Sequence, residues 1–265
     1  MILPLPAGYR RNEVLAFYGR DLQSVSEVVR PDGLTKCFWL NGRPEVLDIR
    51  FEASRAVCNL DHPVAARVLG LKGNAALFED RFDSDPLLGP LISRQRGLRI
   101  PLTPDPWEAL AWAIMGQQIS VKVAVVLRRE LILHAGTRHS SGLYAHPRPE
   151  DLADMDVATL RTLKFSRSKA EYLICAARAV VSGELRLADL DGGPSGVRGV
   201  GPWTVQYTML RGSGAEDCLP AGDAGLAQGL ARLCGERPSE AEIRKMMARF
   251  EPYRSFATYH VWASL

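Results

Sequence analysis

Val197-Arg198-Gly199-Val200-Gly201-Pro202-Trp203-Thr204, continued by Val205-Gln206-Tyr207, is the stretch of this 265-residue chain on which its reading turns. Two glycines one residue apart allow a tight hairpin and leave backbone N–H groups uncovered by side chains. Pro202 suits the first position of a helix, and a helix beginning there adds free amides and a positive dipole end. Together these features form a cradle for a phosphate group without any formal charge. A plain glycine-rich loop carries the same GxG, so the neighbouring sequence has to decide.

About twenty residues on stands Leu219-Pro220-Ala221-Gly222-Asp223-Ala224-Gly225-Leu226, with Asp223 where a loop turns into a helix. Taken alone, such an aspartate reads as an N-cap. Upstream, Trp107, Leu110, Ala111 and Ile114 fall at i, i+3, i+4 and i+7 and mark one apolar helix face. Gly116-Gln117-Gln118-Ile119-Ser120 follows. Ile119, Val123, Val126, Leu127 and Leu131 then predict a second, deeply buried helix. Further helices are expected at about 166–182 and 222–234. Ser239 and Glu242 form a capping-box pattern ahead of a stripe of Ile243, Met246, Met247 and Phe250. Pro252 breaks that pattern before a last helix.

The first hundred residues have a different character. Leu47-Asp48-Ile49-Arg50-Phe51-Glu52 alternates as a half-buried strand should. Thr35–Leu40 and Arg55–Leu60 are its expected neighbours, with Asn41-Gly42 as a turn. Helical patterns lie near Asn12–Tyr18 and Pro63–Leu71. The proline-rich Pro101-Leu102-Thr103-Pro104-Asp105-Pro106 closes this part. The expected class is α+β: an N-terminal α/β domain over 1–100 with a small antiparallel sheet, then a mainly α-helical region over 101–265.

Composition sets wide bounds. Apolar residues make up 46% and charged residues 24%, ordinary for a soluble globular chain. A net charge of +3 permits nucleic-acid binding without arguing for it. The five cysteines are scattered with none at CxxC spacing, so no metal site or iron–sulfur cluster is indicated. The short, proline-broken N-terminus lacks the form of a secretory signal. No stretch reaches the ~20 apolar residues of a membrane span. A reducing cytoplasm is the expected setting, without membrane association.

The hairpin GVGPWT, the downstream LPxxD, the earlier Gly116–Ser120 segment and the ending Pro252-Tyr253-Arg254-Ser255-Phe256-Ala257 with His260-Val261-Trp262 together resemble the 3-methyladenine DNA glycosylase II (AlkA-like) family. That family belongs to the helix-hairpin-helix DNA glycosylase superfamily, and it too carries an N-terminal α/β domain. The resemblance implies a monomeric, monofunctional DNA glycosylase of base excision repair. Such an enzyme flips alkylated bases of the 3-methyladenine type out of double-stranded DNA and hydrolyses them off. It gives Asp223 the catalytic role and Trp203, Tyr207 and Trp262 the base pocket, although Trp and Tyr on helices also serve as core. It gives DNA contacts to Gly199, Val200, Gly201 and Thr204, and the wedge that fills the emptied duplex to Gln118, whose bland alternative is helix capping. No cofactor is implied beyond a sodium or potassium ion held by backbone carbonyls of the hairpin.

The chemistry agrees with the assignment. Cleaving an N-glycosidic bond builds positive charge on the sugar, which a carboxylate stabilises while it orients or deprotonates water. A cationic alkylated purine leaves without acid help, and electron-rich rings attract it. Relatives that also nick the strand use a lysine after the hairpin to form a Schiff base. Trp203 fills that slot here. The chain departs from the pattern in the Gly- and Pro-rich segment Gly192–Gly196 before the hairpin, and in Lys164, where relatives carry glycine. Lys169 is a further candidate phosphate contact. The competing readings are a glycosylase for deaminated or oxidised bases, a non-catalytic DNA-binding module, and a small-molecule enzyme using the GxG loop as a nucleotide cradle. The last lacks the GxGxxG that should follow a strand.

Overall fold

The computed structural model describes residues 1–192 and 195–265. The chain opens with a five-stranded antiparallel sheet: β1 (Ile2–Pro4), β2 (Glu27–Arg30), β3 (Gly33–Leu40), β4 (Arg43–Phe51) and β5 (Arg55–Cys58), in the order β1-β5-β4-β3-β2. The alternation in β4 is the cause of its placement. Leu47, Ile49 and Phe51 turn inward against α1 (Arg11–Tyr18) and α2 (Val64–Val68), while Arg50 faces solvent. The expected strand at Thr35–Leu40 belongs to the longer β3, and the one at Leu47–Glu52 to β4, which ends one residue earlier, at Phe51. The edge strands β1 and β2 extend a sheet whose centre alone was legible in the sequence.

Two more cores lie beyond the sheet. One gathers α5 (Pro106–Gly116), α6 (Val121–Ala135), α7 (Pro149–Ala153), α8 (Val157–Thr162), α9 (Arg167–Ser182) and the hairpin residues Val197 and Val200. The other packs α3 (Ala75–Phe82) and α4 (Gly89–Arg94) against α11 (Ala224–Cys234), α12 (Glu240–Met247) and α13 (Arg254–Trp262). Thus α3 and α4, which precede the proline-rich stretch, bury their apolar faces among the last helices. Between these two cores runs α10 (Pro202–Thr208), whose last turn loosens into a π-turn over Met209–Ser213. A two-residue ribbon, Thr137–Arg138 with Tyr144–Ala145, sits beside the sheet.

Side-chain caps start the helices where the sequence placed cap residues. Asp105 caps α5, Ser120 caps α6, Ser166 caps α9, and Ser239 with Glu242 forms the full capping box of α12. One expectation needs correcting. The second buried helix is only half buried: it begins at Val121, after Ile119, and Val121, Val123 and Leu133 are exposed. Its apolar residues exceed the one face that α5 can cover.

Sheet and helices are joined by a buried ionic knot. Lys36 of β3 is fully buried, 2.9 Å from Glu108 of α5 and 3.1 Å from Glu27 of β2, and Arg128 of α6 pairs with both carboxylates. Burial penalises these charges, but the two cations beside Glu108 and Glu27 more than offset it and hold both carboxyls below the usual range.

Candidate active site

Gly199 has φ +86°, and a Cβ built on it would lie 2.3 Å from Tyr172 Cγ. Only glycine satisfies both demands, and the chain turns there onto the ring of α9. Gly201 is extended and caps α10, and Pro202 opens that helix. The Val200 amide donates to Val197 O, whereas the amides of Gly199 and Gly201 meet no acceptor among the described residues. The side chain of Thr204 is buried, so its neighbourhood can meet a phosphate only through backbone. Val200 is buried as well.

Gln117 braces this hairpin, a role the sequence did not signal. Its Nε2 donates to Gly199 O (2.8 Å) and to Thr204 Oγ1 (3.0 Å). The next residue, Gln118, is exposed at φ +56° with no side-chain hydrogen bond among the described residues. It does not cap α6, because Ser120 does. Lys169 is no free surface lysine. Its ammonium donates to Gln117 O and Ile114 O at the end of α5, and partial burial lowers its pKa.

The segment ahead of the hairpin holds a single 3-10 turn, Leu187–Asp189, in place of an α-helix among the described residues. Gly193 and Pro194, part of the Gly- and Pro-rich departure, lie outside the described residues. Ser195 replaces part of the missing support by donating to Val200 O (2.8 Å). The carbonyls of Val197, Gly199 and Val200 each already accept a hydrogen bond within the chain. Each of these carbonyls keeps a second lone pair, the group through which it would meet the sodium or potassium ion that the resemblance implies.

Asp223 caps α11, Oδ1 accepting from the Leu226 amide at 2.7 Å. The cap reading is therefore right, and incomplete. Trp262 Nε1 donates to the same Oδ1 at 2.8 Å, and Trp203 Nε1 donates to Oδ2 at 3.0 Å. Gly225 leaves room beside the carboxylate itself rather than beside the indole. A Cβ there would lie 3.1 Å from Asp223 Oδ1 and 3.6 Å from the indole. Tyr207 sits between the two indoles, with ring centroids 5.4 Å from Trp203 and 6.1 Å from Trp262. All four residues singled out in the sequence thus meet in one place.

Chemically the arrangement is lopsided. Each carboxylate oxygen has two lone-pair directions. Oδ1 has both filled, while Oδ2 receives one donor and keeps one free. The site presents one oriented carboxylate oxygen beside aromatic surface, next to a hairpin with two unclaimed amides.

Residues 111–252 match the family model of the HhH-GPD superfamily base excision DNA repair proteins. The chain belongs to that superfamily. It is 29% identical over 201 residues to a DNA-3-methyladenine glycosylase of Bacillus subtilis, covering 71% of this chain and 66% of the relative. It is 33% identical over 183 residues to DNA-3-methyladenine glycosylase 2 of Escherichia coli, covering 66% and 63%. The matched region therefore spans just under two thirds of these relatives' lengths. Its fold superposes on a 3-methyladenine DNA-glycosylase from Archaeoglobus fulgidus with a TM-score of 0.86, at 22% identity over 99% of this chain and 97% of that one. The match over nearly the whole length includes the N-terminal sheet.

Proposed function

We propose that the protein is a monofunctional DNA glycosylase that hydrolyses alkylated bases of the 3-methyladenine type out of duplex DNA. The observation that carries the reading is the Asp223 carboxylate held by two indole N–H groups and a helix amide, with Oδ2 left a free lone pair. In hydrolysis the C1′–N bond breaks and its electron pair leaves with the base. Asp223 stabilises the positive sugar and Oδ2 orients the incoming water, whose proton passes to the carboxylate or to solvent. A base that is already cationic departs as a neutral molecule without an acid.

Membership of a base excision repair superfamily and similarity to relatives named as 3-methyladenine glycosylases support the substrate class. Exposed Gln118, on the loop that Gln117 ties to the hairpin, is the proposed wedge into the gap left by the flipped base. The amides of Gly199 and Gly201 are the proposed phosphate contacts. Trp203 stands where lyase relatives place an amine, so base removal is proposed to stop at an abasic site.

Release of 3-methyladenine from methylated duplex DNA tests the proposal, with borohydride trapping run alongside. The expected result is free base, intact abasic strands and no trapped adduct, with release lost in Asp223→Asn. That variant keeps an N-cap acceptor, so its fold should survive. DNA binding without release of any base would overturn the enzymatic reading. A trapped adduct would overturn the monofunctional one.

A further inference from the structure

Beside the unclaimed amides of the hairpin lie three charged side chains that the proposed chemistry leaves unused. Glu171 of α9 accepts from Arg167 Nε through Oε1 at 2.9 Å and pairs with Arg198 Nη2 through Oε2 at 3.1 Å. One carboxylate thus serves two guanidiniums, and the cluster carries one surplus positive charge. Arg167 stands on the same helix at i,i+4 spacing, an ordinary helix-surface pair. Arg198 comes from elsewhere, as the hairpin residue immediately before Gly199. Its pair with Glu171 is the one ion pair it makes among the described residues, and its side chain is 70% exposed.

The ring of Tyr172 ties Arg198 to the turn. Gly199 packs onto this ring, and the Arg198 guanidinium lies 5.7 Å from its centroid. The fork and the unclaimed Gly199 amide therefore share one neighbour. Because Arg198 adjoins Gly199 in the chain, a phosphate on that amide falls within the sweep of its long, exposed side chain. Exchange of partners is then favourable. An exposed ion pair contributes little in water. An arginine on a DNA phosphate gains charge-assisted, bidentate hydrogen bonds and the release of counterions.

We infer that Arg198 is a side-chain phosphate contact beside the hairpin amides, and that Glu171 competes with the DNA for it. The inference rests on the proposed glycosylase reading and adds to it a contact that carries formal charge. Glu171 holds the fork while no DNA is bound, and so lowers affinity for any duplex without reading its sequence.

Fluorescence anisotropy on an abasic duplex across a salt titration tests this. It compares wild type with Arg198→Ala, Arg198→Lys, Glu171→Gln and the double variant Arg198→Ala with Glu171→Gln. Arg198→Ala should weaken binding and reduce the slope of log K against log[salt] by about 0.9, the share of one phosphate contact. Arg198→Lys, which keeps the charge, should keep the slope. Glu171→Gln should tighten binding about two- to five-fold, the effect of an exposed competing pair removed. In the double variant most of that gain should vanish, because the two residues act through each other. An unchanged slope in Arg198→Ala, with binding retained, would overturn the inference and leave the glycosylase reading standing. So would a Glu171→Gln gain that mostly persists without Arg198, which would make it a general effect of charge. A wild-type chain with no affinity for the duplex at any salt would remove the glycosylase reading and this one with it.

Discussion

An indole N–H donating to a carboxylate fixes the plane of that carboxylate, and Asp223 has two such donors on different helices. Trp262→Phe removes one while keeping most of the ring. A hydrogen bond to a charged group is worth about 1.5–2 kcal/mol when its loss lets the carboxylate turn, or roughly a 10- to 30-fold fall in rate. Single-turnover base release should fall by that amount with little change in the melting temperature. An unchanged rate would mean that Trp203 and the helix cap orient Asp223 unaided. Lys164 is a different kind of special residue. It sits at φ +69°, in the left-handed region that suits glycine, and its 4.0 Å approach to Glu130 is an exposed pair of little worth. Lys164→Gly should therefore raise stability by up to about 1 kcal/mol, the left-handed strain relieved less the entropy glycine costs. Urea denaturation at pH 7 reads it, and a loss of stability would contradict it.

Hairpin and loop act as one element because Gln117 joins them. Gln117→Ala frees Gly199 O and the Thr204 hydroxyl together. Affinity for an abasic duplex should weaken by about ten-fold, with a stability loss of about 1–2 kcal/mol. Fluorescence anisotropy measures the first and urea denaturation the second; unchanged affinity would separate the loop from the DNA contacts. Elements of this chain were legible where they repeat a period long enough to be seen. The alternation of β4, the stripe of α5 and the capping box of α12 all appear in the structure where the sequence put them. Short helices such as α7 and α8, of five and six residues, show too little of a 3.6-residue period to stand out. β2 begins with a glutamate that is buried only because Lys36 and Arg128 arrive from elsewhere. For the same reason Asp223, Trp203, Tyr207 and Trp262 were found through motifs, whereas Gln117 and Lys169 were not read for what they do. Their partners lie 50 or more positions away, and no local pattern encodes them.

At the scale of the whole molecule, the joints between layers are polar as well as apolar, so folding should respond to pH through buried groups in more than one core. His146 lies beside the Lys36–Glu108–Arg128 knot, and burial, with help from Arg128 and Lys36, lowers its pKa to about 4. His260, against Phe78 and hydrogen-bonded to Gln95, is lowered by burial and by Arg99 to about 3. Asp105 is pushed up to about 6 by burial and the nearby Glu108. A histidine with a depressed folded pKa is protonated first in the unfolded chain. Its contribution is thus complete above the unfolded value near 6.5 and is lost as pH falls toward the folded value. Asp105 acts in the opposite sense, since its raised pKa makes the folded state bind a proton more readily between pH 6 and 4. Moving from pH 7 to pH 5, each histidine costs about 2 kcal/mol and Asp105 returns about 1.4 kcal/mol, a net loss of roughly 2–3 kcal/mol. Glu27 and Glu108 add nothing in that interval. Their lowered values place their stabilising effect above the ordinary carboxylate range, and it is lost only at more acidic pH. Urea denaturation at pH 7 and pH 5 should show a lower midpoint at the lower pH, with His146→Asn losing less between the two than wild type. A midpoint that holds or rises on acidification would mean that both histidines exchange protons with solvent in the folded state.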